Sequence, residues 1–126
     1  MSFQPIALVA LGGALGAVAR FLVGNAFTRF ASWPVGTFVI NVTGCFAIGF
    51  FLTFMAQRFP SGHEGWRFFF PVGFVGAYTT FSTYEYETLR LVQQGAWGRA
   101  LSYVLASTIA GYAAVWLAWW LARRVT

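Results

Sequence analysis

The sequence predicts an all-α integral membrane protein, and three observations support that class. Hydrophobic residues make up 59% of the 126 positions and charged residues only 9%, whereas a soluble domain has about 25% charged residues. The mean hydropathy is +0.67. Because a bilayer core about 30 Å thick takes roughly 20 apolar residues per helix, the length suits four membrane spans with short loops and leaves no room for a soluble domain.

Apolar runs separated by polar or turn residues divide the chain into four predicted spans within a single membrane domain, residues 1–126. The spans cover approximately residues 5–27, 34–57, 66–93 and 98–122. Pro34 suits the start of the second span, since its missing N–H would be unpaired in the first turn of a helix. In the first span Gly12 and Gly16 are spaced by four, and small residues at this spacing let a second helix approach closely.

The basic residues are eight arginines, scattered along the chain and mostly near predicted span ends. A nucleic-acid surface would collect such side chains on one face, so we expect no nucleic-acid partner and assign most of them to anchoring at the membrane interface. One side of the membrane would hold Arg58, Arg67, Arg123 and Arg124, and the other side Arg29, Arg90 and Arg99. Four against three is hardly a bias, so either the orientation signal is hidden or the chain inserts both ways round. Two oppositely inserted copies would form an antiparallel dual-topology homodimer.

The third span carries the polar stretch GAYTTFSTYEYE at residues 76–87 after an apolar run. Gly73 and Gly76 precede Thr79 and Thr80, and glycine costs about 1 kcal/mol in a helix interior relative to alanine. We therefore expect helix 3 to be broken near mid-membrane, where exposed backbone must be buried in protein or line a cavity. Freed carbonyls there could hold a cation, and the amides that begin the next half-helix would face an anion. The alternative is an intact helix whose hydroxyls bond back to carbonyls of the preceding turn.

Polar residues inside the other spans are functional candidates, because polar groups within a membrane are costly. Arg20 either reaches the interface with its long side chain or attracts anions at a pore mouth. Thr37 and Asn41 share one helix face, and Asn41 either joins two helices or lines a pore. In the fourth span Tyr103 and Ser107 are spaced by four, so their hydroxyls could extend a polar track.

Two aromatic residues, Phe81 and Tyr84, follow the predicted break one helical turn apart. Aromatic ring edges are electropositive, so a ring can meet an anion edge-on in a dry pore. Tyr84 also aligns with Thr80 and Glu87 along the helix. Numerous weak contacts of this kind are what conduction requires, since an ion must be able both to enter and to leave. Plain aromatic packing is the alternative.

With these residues the sequence resembles the Fluc/CrcB-type fluoride ion channels of microbes over almost its whole length. The matching motifs are GxxxGxxxR at 12–20, GTFxxNxxG at 36–44 and GxxGAYTTFSTYxxE at 73–87. The resemblance implies an antiparallel, dual-topology homodimer in the bacterial inner membrane, with two pores that are each lined by both subunits. It also implies passive export of cytoplasmic fluoride down its electrochemical gradient.

The resemblance further implies site residues, carried over position by position. Backbone carbonyls of Gly76 and Thr79 would hold a structural sodium ion at the dimer centre. The residues expected to line the pore or bind the anion are Arg20, Asn41, Thr80, Phe81, Tyr84, Glu87, Tyr103 and Ser107. Tyr84 departs from the family pattern, which usually has phenylalanine there, and the sequence leaves the role of its hydroxyl open.

Two other functions are alternatives to a channel. A small dual-topology multidrug/proton antiporter would have a similar size and charge balance, but it needs a buried carboxylate. The carboxylates are Glu64 in a loop and Glu85 and Glu87 late in the third span. A membrane enzyme of lipid metabolism would need acid/base and phosphate-handling groups, which the sequence does not contain, so we expect no enzymatic activity. The single histidine, His63, has no second histidine as a partner, and we expect no metal site there.

Overall fold

The computed structural model describes residues 3–30, 32–62 and 64–126, so His63 lies outside the described residues. The helices are α1 (Phe3–Ala26), α2 (Val35–Arg58), α3 (Glu64–Arg67), a π-helical segment (Phe68–Val75), α4 (Gly76–Tyr78), α5 (Phe81–Gln93) and α6 (Trp97–Val125). Within these ranges the chain forms helices and turns and no strand. The predicted all-α class is confirmed.

Three of the helices are long and apolar enough to cross a membrane: α1, α2 and α6, with 24, 24 and 29 residues. At 1.5 Å per residue each exceeds the thickness of a bilayer core. The predicted third span is not one helix. It consists of α3, the π-helical segment, α4 and α5, and an interruption separates α4 from α5.

The π-helical segment is a feature that the sequence analysis did not predict. It contains Pro71, which has no N–H to donate and whose ring crowds the preceding turn, and π-type widening is one way in which a helix accommodates such a residue. The segment packs closely on α1: a Cβ atom added at Gly12 or Gly16 would overlap the carbonyl oxygen of Phe69 or Phe74, respectively. The close approach predicted for the two glycines is thus made by the third span.

Two contacts hold the loop between α1 and α2 against the start of α6. The Trp33 indole N–H donates to the Ser102 hydroxyl at 3.1 Å, and an Arg99 N–H donates to the Ser32 carbonyl at 2.9 Å. The Trp33 ring also lies edge-on to the ring of Tyr103, with 5.1 Å between centroids. Tyr103 is fully buried in a small core that includes Leu91 of α5. This core fixes α2, α5 and α6 relative to one another at one end of the molecule.

The outer faces of the long helices carry large apolar side chains. Phe21 of α1 and Ile109 of α6 are each 66% exposed. Large apolar side chains exposed along whole helices are suited to contact with lipid hydrocarbon rather than with water.

Candidate functional site

The interruption of the third span lies at Thr79 and Thr80. Thr79 has ψ 158°, and Thr80 has φ −149° and ψ 114°, so both have extended backbone. The helix restarts at Phe81 with Thr80 as its N-cap, whose hydroxyl accepts from the Thr83 N–H at 3.2 Å. An N-cap bond of this type satisfies one of the amides left unpaired at a helix start. A broken helix 3 is therefore observed, and the intact alternative is excluded.

The break was predicted, but the residues expected to cause it do not form it. Gly73 and Gly76 were expected to unwind the helix, but both lie in helical segments before the break. A Cβ at Gly73 would come within 2.8 Å of the Val9 carbonyl oxygen, so this glycine permits close packing on α1. The two β-branched threonines, whose side chains favour extended backbone, form the break itself.

Asn41 of α2 holds the break through both ends of its amide. Its Oδ1 accepts from the Thr80 N–H at 2.8 Å, and its Nδ2 donates to the Thr80 carbonyl at 3.0 Å. The side chain thus replaces the backbone partners that Thr80 loses by leaving the helix. Of the two roles open for Asn41, joining helices is the one seen, and one Nδ2 hydrogen remains for a further acceptor.

Arg20 lies against the same break rather than at the interface. Its Nη1 is 3.5 Å from the Thr79 carbonyl oxygen, toward which it donates, and the contact is partly buried. The distance is long for a hydrogen bond, so the interaction is weak. Arg20 therefore places a positive charge beside the break, and does not stand at the mouth of the cavity described below.

The break also frees carbonyl oxygens that are suited to a hard cation. Because the Thr80 N–H is given to Asn41, Gly76 lacks the donor that it would have in a continuous α-helix. Among the described residues, the Thr79 carbonyl has only the long contact with Arg20, and it keeps a lone pair. The donor type fits sodium, which unwound backbone carbonyls coordinate in membrane transporters, but two oxygens supply only part of a coordination shell. Among residues 3–30, 32–62 and 64–126, no group of three or more His, Cys, Asp or Glu side chains offers another metal site.

Glu87 joins three helices on the side of the break toward the end of α5. Its Oε1 accepts from the Thr37 hydroxyl and its Oε2 from the Tyr103 hydroxyl, both at 2.8 Å. Thr37 is 7% exposed and Tyr103 is fully buried, so the carboxylate is held in a well-defined geometry. Thr37 was not predicted as a site residue, although it shares a helix face with Asn41, and that shared face was the signal that could have identified it.

Ser107 follows Tyr103 by one turn of α6, so the two side chains lie on the same face. Its hydroxyl oxygen is buried and has no hydrogen-bond partner among the described residues. By contrast, the neighbouring Thr108 hydroxyl donates back to the Val104 carbonyl at 2.9 Å. A buried polar group without a partner costs about 1–3 kcal/mol, so Ser107 is a donor available to an incoming acceptor.

The aromatic pair lies next to these hydroxyls. The centroids of Phe81 and Tyr84 are 5.9 Å apart, and those of Tyr84 and Tyr103 are 5.1 Å apart. Tyr84 is partly buried between them, whereas Phe81 is 74% exposed. Tyr84 thus connects the buried polar residues with a ring that this chain does not cover.

A cavity of about 290 Å³ leads toward these residues from the end of the molecule where α1 ends and α2 begins. It has room for several water molecules. Thr37 and Glu87 form part of its lining, together with Trp33, with Arg90 from the last turn of α5 and with Gln94, which follows that helix. Arg90 was expected only to anchor the chain at the membrane interface, and its place in this cavity was not predicted from the sequence.

Comparison with known proteins gives matches along nearly the whole chain. The sequence model of the family described as CrcB-like protein, Camphor Resistance (CrcB), matches residues 7–119. The chain is 51% identical over 122 residues to a protein of Acidobacterium capsulatum named fluoride-specific ion channel FluC, with 93% of this chain and 94% of that protein covered. It is 49% identical over 119 residues to the protein of that name from Solibacter usitatus, with 93% and 97% covered. The Helicobacter pylori protein of that name is 42% identical over 119 residues, with 91% and 90% covered.

The range matched by the family model includes the three motifs at 12–20, 36–44 and 73–87, and also Tyr103 and Ser107. Because the family match and the matched relatives extend over nearly all of the sequence, the chain is a multi-pass membrane protein that belongs to the CrcB family.

Proposed function

We propose that this chain forms a fluoride-selective channel that lets cytoplasmic fluoride leave passively, as an antiparallel homodimer with two pores. The observation that carries the proposal is the series of hydrogen-bond donors between the cavity and the break. It begins with the hydroxyls of Thr37 and Tyr103, includes the unpaired hydroxyl of Ser107, and ends at the amide of Asn41. The names of the related proteins support fluoride as the permeating ion.

Fluoride is small and strongly hydrated, so a pore must replace its water with enough donors. Ser107 supplies a hydroxyl that has no partner among the described residues. Thr37 and Tyr103 each donate to one oxygen of Glu87. An anion that approaches would share these donors with the carboxylate, and rotation of a hydroxyl from one acceptor to the other would let the anion move on. Such contacts are favourable enough for entry and weak enough for exit.

The aromatic pair would carry the ion past the driest part of the route. Phe81 and Tyr84 present ring edges, which are electropositive and attract an anion without binding it as firmly as a cation would. The exposure of Phe81 supports a pathway that a second chain completes, because its ring is uncovered within one subunit.

A structural sodium ion is part of the same proposal. The Gly76 and Thr79 carbonyls of two copies would hold it, and when bound it would supply a fixed positive charge and tie the two breaks together. The carbonyl oxygen freed at Gly76 supports this assignment. The role of Arg20 would be to steady the Thr79 carbonyl beside that ion.

The alternative function, a multidrug/proton antiporter, is less well supported. Such an exchanger needs a carboxylate that is open alternately to protons and to a cationic drug. Glu87 accepts a hydroxyl at each oxygen, and Glu64 lines a separate cavity near the loop between α2 and α3. These two carboxylates are therefore not open in the third span, whereas Glu85 of α5 is exposed, so proton coupling is tested directly by the efflux experiment below.

Efflux from liposomes tests the proposal. Vesicles that contain the purified protein and are loaded with fluoride should release it rapidly when a potassium ionophore balances the charge, with no pH gradient imposed. Chloride-loaded vesicles should release little in the same time. Fluoride release no faster than from protein-free vesicles, or release that needs a pH gradient, would overturn the channel mechanism.

A further inference from the structure

The entrance cavity contains two opposite charges on the same helix. Glu87 and Arg90 are three residues apart on α5 and both line the cavity, so they are neighbours on the helix surface, with about 5–6 Å between Cβ atoms. Glu87 already accepts hydrogen bonds at both oxygens. Within the part of the chain that the structure describes, the Arg90 side chain has neither a hydrogen bond nor an ion pair. Its charge is therefore free to act on the contents of the cavity.

The position of Arg90 along the helix matters for an anion. Arg90 lies nearer the C-terminal end of α5 than Glu87 does, and so nearer the membrane surface. From this order along α5 we expect an anion that enters the cavity to approach the guanidinium before the carboxylate. Without Arg90, the Glu87 carboxylate would repel an anion in the cavity. The two negative charges would lie within the Debye length of about 8–10 Å at ordinary ionic strength, so salt would screen their repulsion little.

The walls of the cavity strengthen this effect. Trp33, Phe27 and Leu91 contribute apolar surface around the two charges. Low-dielectric walls strengthen the field of a charge within a cleft, so the guanidinium acts on an anion in the cavity more strongly than it would in open water. Arg20, which the sequence analysis considered for this role, instead lies against the Thr79 carbonyl.

We propose that Arg90 is the residue that draws fluoride into the entrance cavity and offsets the repulsion from Glu87. This inference rests on the proposed function. In this role Arg90 raises the rate at which fluoride reaches the buried hydroxyls. The deeper residues, and not Arg90, determine the selectivity for fluoride over chloride.

Ionic strength separates this role from a structural one. Fluoride efflux is measured from liposomes at low fluoride concentration, once in a buffer of about 10 mM ionic strength and once at about 300 mM with an impermeant salt. We expect Arg90→Gln to reduce the initial rate at least about threefold at low ionic strength. The reduction should largely disappear at high ionic strength, and Arg90→Lys should retain most of the wild-type rate. The selectivity over chloride should not change.

The matched control is Arg29→Gln, which removes the same charge from the loop at the same end of the molecule. The Arg29 guanidinium lies over the Phe30 ring, 5.1 Å from its centroid, and the residue does not line the cavity. If both glutamine variants lose the same fraction of the initial efflux rate, the effect comes from the overall positive charge at this end of the molecule, and the proposed role of Arg90 is overturned. A loss in Arg90→Gln that is the same at both ionic strengths would also overturn it. If the wild-type protein itself moves no fluoride, the proposed function fails instead.

Discussion

Replacement of Asn41 by leucine is the sharpest test of how the break is held. Leucine has a similar volume but offers no amide, so the Thr80 N–H and carbonyl lose partners at 2.8 and 3.0 Å. Thr80 is only 8% exposed, and water cannot readily replace those partners. Leaving a buried polar group unpaired costs about 1–3 kcal/mol, so two such groups predict a loss of about 2–6 kcal/mol in the free energy of unfolding.

The control for Asn41→Leu lies half a turn away on the same helix. The Thr43 hydroxyl donates to the Val39 carbonyl of its own helix and contacts the Tyr78 hydroxyl at 2.9 Å, at an exposed position. Thr43→Val leaves no backbone group of the break unpaired and should cost no more than about 1 kcal/mol.

Two measurements check the Asn41 prediction. Reversible unfolding in mixed micelles gives the free-energy difference, and hydrogen exchange by mass spectrometry reports the protection of the amides around residue 80. In Asn41→Leu these amides should exchange much faster, because exchange follows local opening. Fluoride efflux should also fall strongly. If Asn41→Leu matches Thr43→Val in both stability and exchange, the break is not held by the Asn41 amide and the reasoning is refuted.

Four further predictions concern the route of the ion and the assembly. Phe81→Ile should cut fluoride efflux strongly while size-exclusion chromatography still shows a dimer; normal efflux would remove Phe81 from the pore. Tyr84→Phe should keep transport, since the ring edge remains, and a loss of efflux would show that the hydroxyl is essential. Ser107→Ala should reduce efflux several-fold while stability is unchanged or rises by about 1 kcal/mol, because an unpaired buried hydroxyl is removed; a large loss of stability would mean that the hydroxyl has a partner. A tag at the C-terminus should be labelled from both faces of the membrane, and labelling from one face alone would exclude dual topology.

The existence of the break could be predicted from the sequence, but its exact place could not. A cluster of hydroxyl residues within an apolar run is visible in any window of the sequence. The extended residues are held instead by Asn41, which is 39 positions away, with a weak contact from Arg20, which is 59 positions from Thr79. Contacts between residues so far apart in the sequence leave no periodic pattern in it. The break was therefore attributed to the nearby Gly73 and Gly76, whereas the Asn41 amide is what holds it.

The candidate site shows the same limit. Helical spacing aligned Glu87 with Thr80 and Tyr84 on its own helix, but its hydrogen-bond partners come from two other helices. Spacing on one helix predicts which residues share a face and does not predict what that face meets. Gly12 and Gly16 illustrate this as well. Their small size predicted that another helix approaches closely, but it did not predict that this helix is the π-helical segment around Pro71.

The arrangement of polar groups along the membrane normal favours an antiparallel second copy over a parallel one. The polar cavity and the buried hydroxyls lie on one side of the break, along α5 and the first turns of α6. On the other side the third span consists of α3, the π-helical segment FFFPVGFV and α4, and the π-helical segment offers an anion no donors from its side chains. A parallel copy would duplicate the entrance on the same face and add no second series of buried hydroxyl donors on the far side. A copy related by a two-fold axis in the membrane plane would bring break against break at mid-depth and would place its own donors on the far side. The exposed Phe81 ring and the carbonyl oxygen freed at Gly76 lie beside the break, where a single chain surrounded by hydrocarbon would leave polar backbone unsatisfied at a cost of several kcal/mol per group.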